Sequence, residues 1–293
     1  MTDGERLAWI GLNMIQGLGP RRLRPLVASC GGAFALWRAS YALLSSLVGP
    51  SLAARIVEQR RTIDPQRELD RVHEYGWQII TPTDPQYPPL LAEIYDPPTV
   101  LYCWGSPPQG SGVALVGTRQ PTKTGRLLAR ILARDLAAQQ VPVISGLARG
   151  IDAYAHWGAI ENNGPTWAVL GSSLDEIYPP EHRRLIEYIV SRGGCILSEY
   201  PLGTKPARGH FPARNRIISG LASMVVIVEA PIKSGALITA EAALQQGREV
   251  GAVPASPLNS RGQGCNLLIQ EGAKLIQSSQ DILEEVIAAK GGN

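Results

Sequence analysis

Four short aliphatic runs, each closing on a glycine-bearing turn and each followed by a helix-forming segment, constrain this chain more than anything else in it. The turns are Gly117-Thr118-Arg119 after VALV, Ser145-Gly146-Leu147-Ala148-Arg149-Gly150 after VPVI, Gly171-Ser172-Ser173 after TWAVL, and Lys233-Ser234-Gly235-Ala236 after MVVIVEA. Continuous apolar runs of this length mark parallel strands buried on both faces. Such strands need crossover helices, so the pattern predicts an α/β fold with a mostly parallel, doubly wound sheet. The carboxyl ends of its strands border one crevice, and the four turns are expected to meet there. Glycine lets backbone approach a ligand closely, and helix amino termini present unpaired N–H groups to an anion. Arg119, Arg149 and Lys233 stand at the same rim. The crevice reads as a site for phosphates.

At 293 residues the chain is long for one domain, and a small unit beside a large α/β one is expected. Residues 1–63 keep helical spacing, with Leu7, Ile10 and Met14 on one face, and are broken at Gly17-Leu18-Gly19-Pro20 and Val48-Gly49-Pro50-Ser51. Both breaks resemble helix-hairpin-helix turns; a plain helical bundle with glycine turns is the alternative. The second unit spans 64–290. Its lead-in, 64–110, is rich in proline, which predicts extended chain with two edge strands rather than helix. Further strands are expected at GCILSE, EVGAVPA and AKLI, and a last helix at SSQDILEEVIAAK.

Charge is unevenly placed. Residues 1–61 hold eight Lys/Arg against three Asp/Glu, a net of +5, so the remainder carries −2 of the overall +3. Two local basic surfaces on a near-neutral body suit a polyanion. No apolar run is long enough to span a bilayer. The amino terminus lacks the basic start of a signal peptide, and Cys30, Cys103, Cys195 and Cys265 form no close pair. A cytoplasmic protein without zinc, another metal or disulfides is expected.

Enzymatic motifs are weak. Gly117 to Thr124 approaches a phosphate-binding P-loop, but Thr122 replaces its second glycine, and a Cβ there obstructs the wrap. No G-x-G-x-x-G follows a strand, and Ser145 lacks a nucleophile elbow. His156 is expected to be a packed or hydrogen-bonded histidine, and Asp152 to cap its own helix. Glu199 and Glu229 are expected to anchor neighbouring arginines. The segment GTKPARGHFPARNRIISGLA differs in kind: Lys205, Arg208, Arg214 and Arg216 bracket Phe211, with no acid between residues 200 and 228. Cations for a backbone and an aromatic face for a base suit single-stranded nucleic acid. The alternative is a core phenylalanine, with Arg214 and Arg216 paired to Glu199 or Glu229.

VALVGTRQPTKTG, VISGLARGIDAYAHWGAI, WAVLGSSLDEIYPPEHRRL, ILSEYPLGTKPARGHFPARNRIISGL, KSGALITAEAALQQGREV and GCNLLIQEGAKLI follow one another in an order that resembles the DNA-processing protein A (DprA/Smf) family, from about Tyr87 to Val286. The resemblance implies an extended Rossmann-like domain behind a small helical domain like the sterile alpha motif. It implies a homodimer, not an enzyme and without a cofactor, that binds single-stranded DNA, protects incoming DNA and loads the RecA recombinase during natural transformation. Carried over residue by residue, Arg119 and Arg208 contact the DNA backbone, Phe211 stacks on a base, and Lys233 to Leu237 line the same pocket. Gly117, Thr118, Ser145, Gly146, Arg149, Lys205, Arg214, Asn215, Ser234, Gly235 and Thr239 complete the expected DNA-binding set. Thr118, Ala222, Ala236 and Ala255 depart from the usual residues, and the form of the family without a carboxy-terminal winged helix is expected. Two alternatives stay open. One is a nucleoside-monophosphate-cleaving enzyme of the lysine-decarboxylase-like group, with Lys233 to Thr239 as its glycine turn and Glu241 nearby. The other is a scaffold that contacts recombinase alone.

Overall fold

The computed structural model of the protein describes residues 3–291, the last four through their backbone alone. Met1 and Thr2, the first residues of the expected helical unit, lie outside the described residues, as do Gly292 and Asn293. The chain opens with five helices: α1 (Asp3–Met14), α2 (Pro20–Cys30), α3 (Ala33–Arg38), α4 (Tyr41–Val48) and α5 (Pro50–Gln59). The two Gly-Pro pairs start α2 and α5, because proline fits the first helical position, where its missing N–H costs nothing. Ser40 caps α4 by accepting the Leu43 N–H at 3.3 Å. Leu12, Leu23, Leu36, Leu44 and Ile56 are fully buried or nearly so and form the core between these helices.

The proline-rich stretch departs from expectation in one place. Residues Pro65–Glu74 form a helix, α6, where extended chain is predicted. Pro65 again takes the first position, and the Asp64 carboxylate caps the end by accepting the Arg67 N–H at 3.0 Å. The short strand β1 (Gln78–Ile80), the four-residue helix α7 (Pro89–Ala92) and strand β2 (Leu101–Gly105) follow. β1 and β2 pair antiparallel, and β2 in turn pairs antiparallel with β6.

From Gly112 strands and helices alternate: β3 (Gly112–Gly117), α8 (Lys123–Ala138), β4 (Val143–Ser145), α9 (Ile151–Glu161), β5 (Thr166–Val169), α10 (Arg183–Ser191), β6 (Cys195–Ser198), α11 (His210–Leu221), β7 (Ala222–Glu229), α12 (Gly235–Gln245), β8 (Glu249–Ala252), α13 (Gln263–Gln270), β9 (Lys274–Leu275) and α14 (Ser279–Gly291). The nine-stranded sheet has the order β1-β2-β6-β5-β4-β3-β7-β8-β9, parallel throughout except at β1 and β2. The chain winds outward from β3 to β6, then returns to lay β7 on the other side of β3. The strand order therefore reverses between β3 and β7, where an open α/β sheet leaves a crevice.

Side chains alternate along each strand and feed two faces. Val113 and Leu115 of β3 pack with Leu132 and Leu136 of α8 and Ile151 of α9, while Ala114 and Val116 pack toward Ile217 and Leu221 of α11. A third cluster joins the amino-terminal helices to the sheet without a break, running from Leu12 and Leu36 through Val72 and Trp77 to Val100 and Tyr102. Glu68 of α6 is the polar tie in that seam. It is 3% exposed, and its Oε1 accepts the Tyr102 hydroxyl at 3.0 Å and the Leu202 N–H at 2.8 Å. Burial, then the adjacent carboxylate, pushes the Tyr102 hydroxyl well above its ordinary range, so it stays a donor.

Truncating Glu68 to Ala leaves two buried donors unpaired, which is expected to destabilise the protein by about 2–4 kcal/mol in urea denaturation. Glu68→Gln keeps an acceptor and is expected to cost less. An Ala variant as stable as the parent would show that the seam does not depend on this carboxylate.

Candidate nucleic-acid interface

The crevice between β3 and β7 holds a cavity of about 720 Å³. The turn after β3 forms one wall, with Gly117, Thr118, Arg119 and Gln120. The turn after β7 forms the opposite wall, with Lys233, Ser234 and Gly235, and the turn leading into α11 and its first turn bring Arg208 and Phe211 over the mouth. The SGLARG loop after β4 enters through Ala148, and the Gly171 turn after β5 borders a narrow extension that also touches Arg119, Gly146 and Arg149. The four glycine turns thus meet at one place.

The β3 turn is shaped by internal hydrogen bonds. Thr118 donates its N–H to the Glu229 carbonyl at 2.7 Å, and its own carbonyl accepts from Ile151 at 3.2 Å. The Glu229 carboxylate accepts both the Thr122 N–H and the Thr122 hydroxyl at 2.7 Å, plus the Asn259 amide at 3.2 Å. Thr122 also caps α8 by accepting the Gly125 N–H at 3.0 Å. A P-loop needs these donors for phosphates; here a carboxylate and a cap hold them. Glu229 therefore anchors a threonine, where an arginine partner is expected from sequence. Glu199 does hold an arginine, accepting two bonds from Arg216 at 2.8 and 2.6 Å, and Asp96 adds a carboxylate 3.4 Å from the same guanidinium.

Arg214 points inward. It is 4% exposed, and its Nη1 donates to the carbonyls of Gly146 (2.6 Å) and Val169. Sequence places it among the DNA-contacting cations; the structure makes it a strut beneath the site. Burial lowers the guanidinium to about 10, while the adjacent Asp152 pulls it upward. Asp152 is itself raised by burial against the pull of Arg214. It does not cap its own helix, whose first residue follows Gly150. Its carboxylate reaches back to accept the N–H groups of Gly146 (3.2 Å) and Ala148 (3.3 Å). A Cβ on Gly146 would come within 2.6 Å of Arg214 and 2.8 Å of Asp152, so only glycine leaves room for the pair.

The loop thus held carries backbone strain. Leu147 is fully buried at φ +55°, a left-handed conformation uncommon for leucine, and its carbonyl contacts His182 Nδ1 at 2.8 Å. Ser145 is buried too and donates its hydroxyl to Leu115 at 2.7 Å, binding β4 to β3 rather than facing the cavity. His156 is fully buried with Nδ1 2.7 Å from the Thr166 hydroxyl, and desolvation first, then the nearby cations, lowers it to about 3. It stays neutral and packs, as expected.

Phe211 is half-buried and belongs to none of the apolar core clusters. It leans on Gly171, where a Cβ would meet the ring at 2.9 Å. Arg119 lies over it at 5.4 Å, and Tyr178 packs against it at 5.6 Å with the rings tilted by 51°. Arg149 covers Tyr178 at 5.9 Å and pairs with Glu181 at 2.5 Å. The four side chains form a ladder in which the two rings pack together and each is covered by an arginine on its other side. Tyr178 is absent from the sequence-predicted set: it sits in an irregular loop with no periodicity to betray it.

Other expected residues hold the walls. Ser234 caps α12 by accepting the Ala236 N–H at 3.2 Å, Asn215 donates to the Gly235 carbonyl at 3.2 Å, and Thr239 is buried against the floor. Lys205 is exposed but does not line the cavity. Arg119, Arg208 and Lys233 are exposed around the mouth and engage no carboxylate among the described residues. The one acid on the lining is Asp152, buried beside Arg214. Among the described residues no group of carboxylates, histidines and cysteines could hold a metal. The arrangement can neutralise an anionic backbone and offer a ring face to a flat group.

Comparison with known proteins places the chain in a family. Residues 78–287 match the family described as DNA recombination-mediator protein A. The protein Smf of Synechocystis sp. is 42% identical over 291 residues, covering 97% of this chain and 73% of the relative. The DNA processing protein DprA of Streptococcus pneumoniae is 46% identical over 204 residues, 69% of this chain and 72% of that one. The X-ray structure of DprA from S. pneumoniae superposes with a TM-score of 0.83 at 35% identity, over 97% of this chain and 98% of that chain. DNA processing protein A from Helicobacter pylori, whose structure is described for its single-stranded DNA binding mode, gives a TM-score of 0.63 at 32% identity over 72% of this chain and 97% of that one. With the family model matching most of the chain and the fold shared with a solved relative, the chain belongs to the DNA recombination-mediator protein A family, that of the DNA processing proteins DprA and Smf.

Proposed function

We propose that this protein binds single-stranded DNA in the crevice between β3 and β7, protects incoming strands there and passes them to the RecA recombinase during natural transformation. One observation carries the reading: Phe211 presents a half-exposed ring between Arg119 and Tyr178, at a mouth ringed by cations without carboxylate partners. Stacking needs an unpaired base, whereas a duplex offers these turns its phosphates alone. The likeness to a DNA processing protein with a described single-stranded DNA binding mode supports it. In this reading Arg119, Arg208 and Lys233 meet phosphates, Phe211 and Tyr178 meet a base, and Gly117, Thr118, Gly146, Asn215, Ser234, Gly235 and Thr239 shape the walls. Residues 1–63 act as a helical unit beside the 64–290 body, the assembly is a cytoplasmic homodimer, and no reaction is catalysed.

Competition between an oligothymidylate and a blunt duplex of equal length tests this. The single strand is expected to win, with affinity falling steeply as salt rises; equal affinities would remove the base from the site.

Side-chain truncation separates charge from stacking. Arg119→Ala and Arg208→Ala are each expected to lower affinity and reduce the salt slope by about one released ion. Phe211→Ala is expected to cost about 1–3 kcal/mol of binding with the slope nearly unchanged. Its melting temperature should stay near that of the parent because the ring lies outside the core. A strongly destabilised Phe211 variant would assign the ring to folding instead.

A further inference from the structure

We infer that the strand does not end at the Phe211 pocket but continues into a second groove, between the helical unit and α11–α12, where Tyr95 takes a base and Arg22 a phosphate. This rests on the single-stranded DNA reading of the first site. The groove is larger than the pocket, about 890 Å³ against about 720 Å³. Pro212 and Ile238 line both, so the two cavities lie side by side with a shared rim that a strand can cross. Its far wall is the Gly17-Leu18-Gly19 turn and the start of α2, with Arg21 and Arg22 projecting from it.

Two side chains there have no structural task that explains them. Tyr95 is 81% exposed, an unusual place for an aromatic ring, with Arg21 over its face at 5.9 Å. That repeats the cation-on-ring pairing of Arg119 on Phe211. Arg22 is exposed and engages no acceptor among the described residues. The carboxylates of the groove do not cancel this. Asp96 and Glu199 are mostly buried and bound by Arg216, with Arg21 also on Asp96 at 3.0 Å. Glu241 alone is exposed on the lining without an ion pair, on the α12 side opposite Arg22. A strand leaving Phe211 past Pro212 therefore meets the ring of Tyr95 and the cation of Arg22, and is repelled from the α12 wall. Stacking platforms spaced along a basic track are how proteins follow a single strand without reading its sequence.

The test measures binding of two oligothymidylates, one of about six nucleotides that fills the first pocket and one of about twenty that reaches the groove. Tyr95→Ala and Arg22→Ala are expected to leave the short oligonucleotide unaffected and to weaken the long one by about tenfold each. Glu241→Gln is expected to strengthen the long one alone. Both truncated side chains are exposed, so unchanged melting is expected and separates lost contact from misfolding. Long-oligonucleotide affinity that ignores all three substitutions overturns the second groove while leaving the first site standing. Short-oligonucleotide affinity that ignores Phe211→Ala overturns the first site instead.

Discussion

The crevice depends on one buried contact, that between Arg214 and the loop it holds. A guanidinium taken out of water is costly unless its donors and its charge are answered, and removing one partner of such a pair strands the other. Here Gly146 and Val169 answer Nη1 with carbonyls from the ends of two adjacent strands, and Asp152 answers the charge, while the buried Nε has no partner among the described residues. Asp152 in turn holds the N–H groups of Gly146 and Ala148. One arginine of α11 thereby joins the turn after β4, the end of β5 and the start of α9. Residues three apart on a helix share a face, so fixing Arg214 also fixes where Phe211 stands. The ring is thus positioned by a buried charge beneath the cavity.

This division of labour accounts for the character of the site. Exposed cations attract any polyanion and lose their hold as salt rises, so they supply reach rather than selectivity. In the proposed reading, discrimination for an unpaired base comes from a ring already in place, because little rotamer freedom remains to be lost on binding. The strained Leu147 backbone and the Glu229 clamp on Thr122 belong to the same scheme. Each removes freedom from a turn that the ligand would otherwise have to order. The Glu229 clamp also explains why a chain so near a P-loop pattern has no phosphate cradle: the donors that would wrap a nucleotide are engaged from within.

Much of this could be read from the residues. The five strands β3 to β7 announce themselves as apolar runs because both faces are buried, and their turns converge because parallel topology leaves them no other end of the sheet. The helix α6 could not be told from extended chain by proline content alone, although Asp64-Pro65 is a sound helix start once a partner for the helix exists. The roles of Arg214 and Arg216 were beyond reach for a different reason. Two residues apart on α11 they face nearly opposite ways, and which one meets Glu199 depends on where β6 delivers that carboxylate. Tyr178 lies in irregular chain, and only tertiary placement brings it beside Phe211.

The central claim is that a base stacks within the Arg119–Phe211–Tyr178 ladder. Photocrosslinking answers this most directly: irradiate the protein bound to an oligonucleotide that carries 5-iodouracil, then locate the adduct by peptide mass spectrometry. The ladder requires the adduct on Phe211 or Tyr178. Adducts confined to the amino-terminal helices, with none on either ring, would contradict it.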